Sequence, residues 1–354
     1  MTGLSVTAST SFDAPVQLVH RPARTGLIVT RTPLRVSFAG GGTDLPEFYR
    51  RDHGAVLATA IDKYVYVTLK RHDSLFGAPI RLNYSETEEA HSIGEIRNGI
   101  ARECFRLLGI DPPIYMSTVA DIPAESGLGS SSAFAVGLLA ALHAYRGEHV
   151  AGGQLAEEAA QVEIEVLRRP IGKQDHYAAA FGGCNYFRFL PSGNVSVEPQ
   201  QFSAGGLESL FGHLMLFWTG ITRNAAGVLD EQRTNTAGHW SELAEIRDQA
   251  QELHEMMGRA FDPERFGRAL DRGWRLKRRL ASAITNARID AWYAHAIGAG
   301  AWGGKLCGAG GGGFLLFAVE VARQIPVRRA LSELMEIPIA YEPLGSRLLM
   351  PHVE

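Results

Sequence analysis

Three stretches of this chain place chemistry-bearing residue types at telling spacings. The first is Pro123-Ala124-Glu125-Ser126-Gly127-Leu128-Gly129-Ser130-Ser131-Ser132-Ala133. Two glycines one residue apart let the backbone curl, and the serines open an apolar segment of helical length. Such a turn gathers unpaired N–H groups, hydroxyls and the positive end of a helix around one point, which suits a phosphate. One serine would suffice as a helix cap. Three exceed that need, so Gly127, Leu128, Gly129, Ser130, Ser131 and Ser132 are expected to hold phosphate.

The second stretch, Gly308-Ala309-Gly310-Gly311-Gly312-Gly313, satisfies Gly-x-Gly-x-x-Gly, but an apolar strand pattern follows it where a dinucleotide fingerprint needs a helix. A dinucleotide fold is therefore rejected; a flexible connection and a backbone wall against a ligand stay equally open. The third is Arg168-Arg169-Pro170-Ile171-Gly172-Lys173-Gln174-Asp175-His176. Pro and Gly set Asp175 just after a tight bend, with Lys173 as a charge partner, so Asp175 is a candidate base or electrostatic group. No Walker A loop is present, because Gly304-Lys305 is followed by Leu306. The serine stretch also lacks the Gly-x-Ser-x-Gly nucleophile elbow.

These sites need elements to position them. Residues 27–38 and 64–69 read as strands, and residues 114–119 as a third. Residues 131–145 and 154–167 read as helices, and residues 185–190 and 195–199 as a hairpin. Beyond Ala204-Gly205-Gly206 a strand over 213–218, helices over 225–283, a strand over 314–319, a helix over 321–334 and a strand near 347–350 complete an irregular alternation. That pattern is α+β rather than a regular parallel sheet. The boundaries expected are a loosely ordered extension over 1–26, one domain over 27–204 and a second over 205–354. Gly is abundant at 39 of 354 residues, against a usual ~7%.

A formal net charge of −3 offers no field for nucleic acid. No apolar run approaches the ~20 residues of a membrane span, and the polar, mixed start is not a secretory signal. Three scattered cysteines, Cys104, Cys184 and Cys307, form no CxxC pair, which fits a reducing cytoplasm.

Taken together and in order, the motifs resemble those of the GHMP family of small-molecule kinases. Arg31-Thr32-Pro33-Leu34-Arg35-Val36-Ser37-Phe38-Ala39-Gly40 is similar to the family's amino-terminal motif, residues 123–133 to its phosphate loop and residues 305–314 to its carboxy-terminal glycine motif. The resemblance implies an α+β, two-domain fold with the active site in the cleft between domains, and ATP and Mg2+ as cofactors. By the same resemblance Asp175 is the catalytic aspartate, taking the proton of a sugar hydroxyl or orienting it, and Arg35 is its basic partner. Ser131 and Glu163 would hold the magnesium, with Glu165 as the rival of Glu163. Phosphoryl transfer asks mainly for alignment and charge neutralisation, which this set can supply.

The acceptor is narrowed by Gly40-Gly41-Gly42-Thr43-Asp44-Leu45. Galactokinases carry Glu and His where this chain has Gly41 and Gly42, so the pocket wall loses two side chains and suits a longer or phosphorylated sugar. With residues 170–175 and Trp218-Thr219-Gly220-Ile221-Thr222-Arg223, the stretch is similar to D-glycero-D-manno-heptose 7-phosphate kinases. The resemblance implies phosphorylation of an anomeric hydroxyl on the path to GDP-heptose and surface polysaccharide. Gly41, Gly42, Thr43, Asp44, Lys173 and Arg223 are then the substrate-binding candidates, with Lys277 behind them as a further cation for the distal phosphate. The basic run 272–279 otherwise reads as a solvated helix face. His176 is given no role. Alternatives are an L-fucose or other free-hexose 1-kinase and a catalytically silent sugar- and ATP-binding regulator. The partners implied are ATP and a small-molecule sugar phosphate, with a homodimer left open and neither nucleic acid nor membrane.

Overall fold

A computed structural model describes residues 26–71, 77–222 and 226–350. The expected extension over 1–26 lies outside the described residues except for Gly26.

Twelve strands are present among the described residues: β1 (Ile28–Ala39), β2 (Gly54–Arg71), β3 (Ile80–Asn83), β4 (Thr87–Ala90), β5 (Ile114–Ala120), β6 (Cys184–Phe189), β7 (Val195–Pro199), β8 (Leu214–Trp218), β9 (Ala301–Leu306), β10 (Phe314–Val319), β11 (Met335–Glu336) and β12 (Arg347–Met350). Eight form a mixed sheet in the order β12-β1-β2-β5-β3-β4, with β6 bridging β2 and β7. The other four form an antiparallel sheet, β11-β8-β10-β9. Among the described residues only β3 and β5 pair in parallel.

The strand β2 serves two partners: its first half pairs β6 and its second half pairs β5. Sequence matches this division. Residues 54–61 are all buried, as expected for a strand covered on both faces, whereas burial alternates beyond Tyr64 where one face meets solvent. The register of β1 on β2 shifts at Pro33/Leu34, opposite the unpaired Asp62 and Lys63. Such a bulge bends the strand that carries the extra residues, here β2, two residues before Arg35 on the paired strand.

The second sheet meets the first through packing rather than through a linker. Helix Trp240–Arg259 lies against β1 and β2, and helix Pro263–Lys277 against β9 and β10. Phe38 meets Phe266 edge to face at 5.1 Å. Lys305 on β9 donates to the carbonyls of Ser37 (2.7 Å) and Phe38 (3.2 Å) at the end of β1. One continuous apolar core runs from Val36 and Phe38 through Leu253 to Phe314 and Leu316. The last strand, β12, returns to pair with β1, so residues 347–350 complete the first sheet.

The helix read over 154–167 is an α-helix over Gly152–Ala160 that continues as a π-helix over Gln161–Val166. A π-turn rotates side chains relative to an α continuation and is common at functional sites. Here it turns Glu163 inward to full burial while Glu165 stays exposed. The helix read over 321–334 is shorter, a 3₁₀ turn Val321–Arg323 followed by Gln324–Ala330.

Candidate active site

The serine loop folds as its composition demands. Glu125, Gly127 and Gly129 all take positive φ (58°, 85° and 79°), the curled conformation that exposes successive N–H groups. Helix Ser130–Tyr145 starts immediately after, capped by Gly129 in the left-handed region with no side-chain cap. Its first ladder bond runs from Ala133 N–H to the Gly129 carbonyl at 2.9 Å. The N–H groups of Ser130, Ser131 and Ser132 therefore have no partner within the helix, and these residues line an open cavity of about 330 Å³ together with Gly127, Gly129 and Arg169.

The glycine run is a wall rather than a free connection. A Cβ on Gly308 would lie 2.4 Å from Gly127 Cα, and one on Gly313 2.3 Å from the Ser126 carbonyl oxygen. The second half of the chain thus presses its backbone against the serine loop, and only glycine permits that approach.

Arg35 and Asp175 form the centre. Arg35 Nε and Nη2 donate to Oδ1 and Oδ2 of Asp175, each at 2.7 Å, a bidentate pair. Nη1 donates to the Gly127 carbonyl at 2.7 Å, so the same guanidinium braces the serine loop. Arg35 is 4% exposed. A Cβ on Gly129 would stand 3.4 Å from Asp175 Oδ2, so a side chain there would just touch the carboxylate and the glycine leaves a gap of about one carbon between it and the loop.

Glu163 is buried beside the loop. One oxygen contacts Ser131 Oγ and accepts from Arg169 Nη1 at 2.7 Å; the other lies 3.0 Å from His176 Nε2. Arg169 Nη1 also reaches Ser131 Oγ at 2.7 Å. Burial alone would push the Glu163 carboxyl up, but His176, Ser131 and Arg169 outweigh it and hold it below the usual carboxylate range. A hydroxyl and an ionised carboxylate converging at a phosphate loop form a donor pair that hard cations take, with the remaining ligands coming from water and phosphate. The Arg169 guanidinium seated on Ser131 Oγ and one Glu163 oxygen shows that the pair takes positive charge, so these residues fit a magnesium ion.

A second, narrower cavity of about 70 Å³ is lined by Gly41, Gly42, Asp44, Gly172, Gln174, Asp175, Gln232 and Lys277 among others. Asp44 is held by N–H groups of Gly42 (3.0 Å) and Gln174 (3.2 Å). Burial, and then Asp175 nearby, push its carboxyl up; the backbone bonds act in the opposite sense. Lys277 ends its helix inside this cleft and donates to the Gly308 carbonyl. Burial lowers its ammonium to about 8. Lys277 is thus the residue of the basic run that leaves the solvated face.

Several expectations change. Thr43 is fully buried; its single O–H lies between the carbonyls of Gly40 (2.8 Å) and Ala55 (3.0 Å) and its oxygen accepts from Ala55 N–H, so it locks the turn and lines neither cavity. Lys173 does not pair with Asp175. Its ammonium binds Glu157 at 2.8 Å and the Gly193 carbonyl at 3.0 Å, outside both cavities. Arg223 lies outside the described residues. Sequence reasoning misses the roles of Arg169 and His176; both sit in the 168–176 stretch, yet no local spacing links them to Glu163. The three cysteines are free and buried. Among the described residues no helix is long and apolar enough to cross a membrane.

The fold and the grouping of these residues are those of a small-molecule phosphotransferase, and the comparisons place the chain among such kinases. Residues 96–183 match the GHMP kinases N terminal domain and residues 242–337 the GHMP kinases C terminal model. The chain is similar to a D-glycero-alpha-D-manno-heptose 7-phosphate kinase of Campylobacter jejuni, 32% identical over 86% of this chain and 93% of that protein. An L-fucokinase/L-fucose-1-P guanylyltransferase of Bacteroides fragilis is 26% identical over 86% of this chain and 36% of its own length. Among solved structures, a D-glycero-D-manno-heptose 1-phosphate kinase from Bacteroides thetaiotaomicron superposes with a TM-score of 0.74 at 26% identity, covering 91% of this chain and 99% of that one. The chain belongs to the GHMP kinase family and is a phosphotransferase.

Proposed function

We propose that the protein is an ATP-dependent sugar kinase that phosphorylates the anomeric hydroxyl of D-glycero-D-manno-heptose 7-phosphate, a step toward an activated heptose for surface polysaccharide. What carries the reading is the Arg35–Asp175 fork, whose guanidinium also binds the Gly127 carbonyl and so fixes a carboxylate beside the serine loop. The heptose acceptor is supported by the Campylobacter jejuni relative and by the double glycine at 41–42, which contributes no side chain of its own to the pocket wall. The chain is assigned two domains, residues 27–204 and 205–354, with the final strand of the second crossing back to the first sheet.

In this reading the ATP phosphates lie on the N–H groups of residues 127–132, where the helix end favours negative charge. Ser131 and Glu163 would hold Mg2+, which would supply positive charge to neutralise the phosphate oxygens. Asp175 accepts the hydrogen of the attacking hydroxyl and aims its oxygen at the terminal phosphorus. Arg35 keeps both carboxylate oxygens in a fixed plane and places positive charge beside the moving phosphoryl. Asp44 accepts from a second acceptor hydroxyl. Alignment of this sort supplies most of the catalysis available in phosphoryl transfer.

ADP release measured with heptose 7-phosphate, heptose 1-phosphate, L-fucose, D-galactose and D-mannose tests the assignment. The 7-phosphate should have the largest kcat/KM. A larger value for any free sugar removes the phosphorylated-acceptor reading, and no turnover of any of them removes the sugar-kinase reading.

A further inference from the structure

Two glutamine amides in the acceptor cavity carry polar atoms with nothing to bond. Gln232, on helix Ala226–Thr234, is 3% exposed, and its Nε2 is buried without a partner. Gln174 opens helix Gln174–Phe181; its Nε2 points at Asp44 Oδ1 3.5 Å away, and its Oε1 is buried without a partner. Both line the cavity that holds Asp44 and Asp175. Buried amide atoms left unpaired are costly, and native proteins keep few of them.

The amides stand where the loop after β1 has surrendered its side chains. A Cβ on Gly42, whose φ is +101°, would lie 2.2 Å from Gln232 Nε2, and one on Gly41 would lie 3.7 Å from Gln174 Nε2. The double glycine therefore makes room for two glutamines brought in by distant parts of the chain. We propose that Gln232 and Gln174 are the specificity pair of the acceptor site, with Gln232 Nε2 donating to one substrate hydroxyl and Gln174 Oε1 accepting from another. A hydroxyl both donates and accepts. An amide N–H, an amide carbonyl and the Asp44 carboxylate facing one cavity thus match a run of hydroxyls better than an apolar or purely anionic acceptor. The proposal rests on the sugar-kinase reading.

Its test is steady-state kinetics with heptose 7-phosphate and its monodeoxy analogues on wild type and Gln232→Met, a variant of similar shape without the amide. The acceptor KM should rise about tenfold or more, with the ATP KM within about twofold of wild type. Wild type should disfavour one monodeoxy analogue about tenfold, and Gln232→Met should lose that discrimination, which a merely structural residue would not do. Gln174→Met should do the same for a different hydroxyl. Should Gln232→Met fold poorly, Gln232→Glu keeps shape and polarity but replaces the donating Nε2 with an oxygen, and should raise the acceptor KM and lose the same discrimination. Unchanged KM and unchanged discrimination in these variants, with wild type active, overturn the specificity pair but not the sugar kinase. A wild type inactive on every sugar overturns both.

Discussion

Replacing Arg35 by lysine keeps the charge and removes the fork. Arg35 makes three bonds at 2.7 Å, two to Asp175 and one to the Gly127 carbonyl. An ammonium on a shorter reach can keep one of these, so two are lost, each worth about 1.5–3 kcal/mol before water refills the gap. The Asp175 side chain is 23% exposed, so solvent recovers part of the loss on that side. A net loss on the order of 3 kcal/mol in the transition state corresponds to a fall in kcat of about 10²-fold. The ATP KM should move far less, because the N–H groups of residues 127–132 remain. The assay is ADP release at saturating sugar and ATP, paired with nucleotide affinity measured on the same protein. A kcat within about twofold of wild type would refute the idea that a rigid, two-point hold on Asp175 matters.

Three more outcomes are expected from the same geometry. Ser131→Ala should raise the Mg2+ concentration for half-maximal activity about tenfold while leaving the fold intact; an unchanged magnesium titration would move the cation elsewhere. Gly172→Ala places a Cβ 2.0 Å from Asp44 Oδ2, so the acceptor KM should rise about tenfold or more with little change for ATP, as kinetics would show. Lys277 has a folded pKa of about 8 against 10.5 ordinarily, chiefly from burial. The folded state therefore holds fewer protons between these values, and stability rises with pH from about 8 to 10.5. Lys277→Met should be more stable than wild type below pH 8, by on the order of 3 kcal/mol, and denaturant unfolding should show that gain fading towards pH 10.5.

How much of this was legible in the residues depended on how local each signal is. The serine loop, the bend before Asp175 and the strands β1 and β10 are written in short-range patterns of glycine, serine and β-branched residues. The conformations match, down to positive φ at Gly127 and Gly129. Lys173 misled because adjacency in sequence is not adjacency in space: residues two apart at a helix start project to different sides, and Lys173 turns to Glu157. Thr43 misled because a threonine in a turn bonds its own backbone first. Gln232 and Arg169 reach the cleft from elements whose placement depends on long-range packing, and the pairing of β12 with β1 spans nearly the whole chain. No window of sequence contains such contacts. The glycine run was ambiguous for the same reason, since its partner, Gly127, lies some way back along the chain.

The central claim is that main-chain amides after Ser126 hold the donor's phosphates while Asp175 aims the acceptor. A crystal structure with a non-hydrolysable ATP analogue, magnesium and heptose 7-phosphate tests it most directly. The account predicts phosphate oxygens on the N–H groups of residues 127–132 and an Asp175 oxygen within about 3 Å of the acceptor hydroxyl. Phosphates seated elsewhere, or a hydroxyl aligned by another side chain, would contradict it.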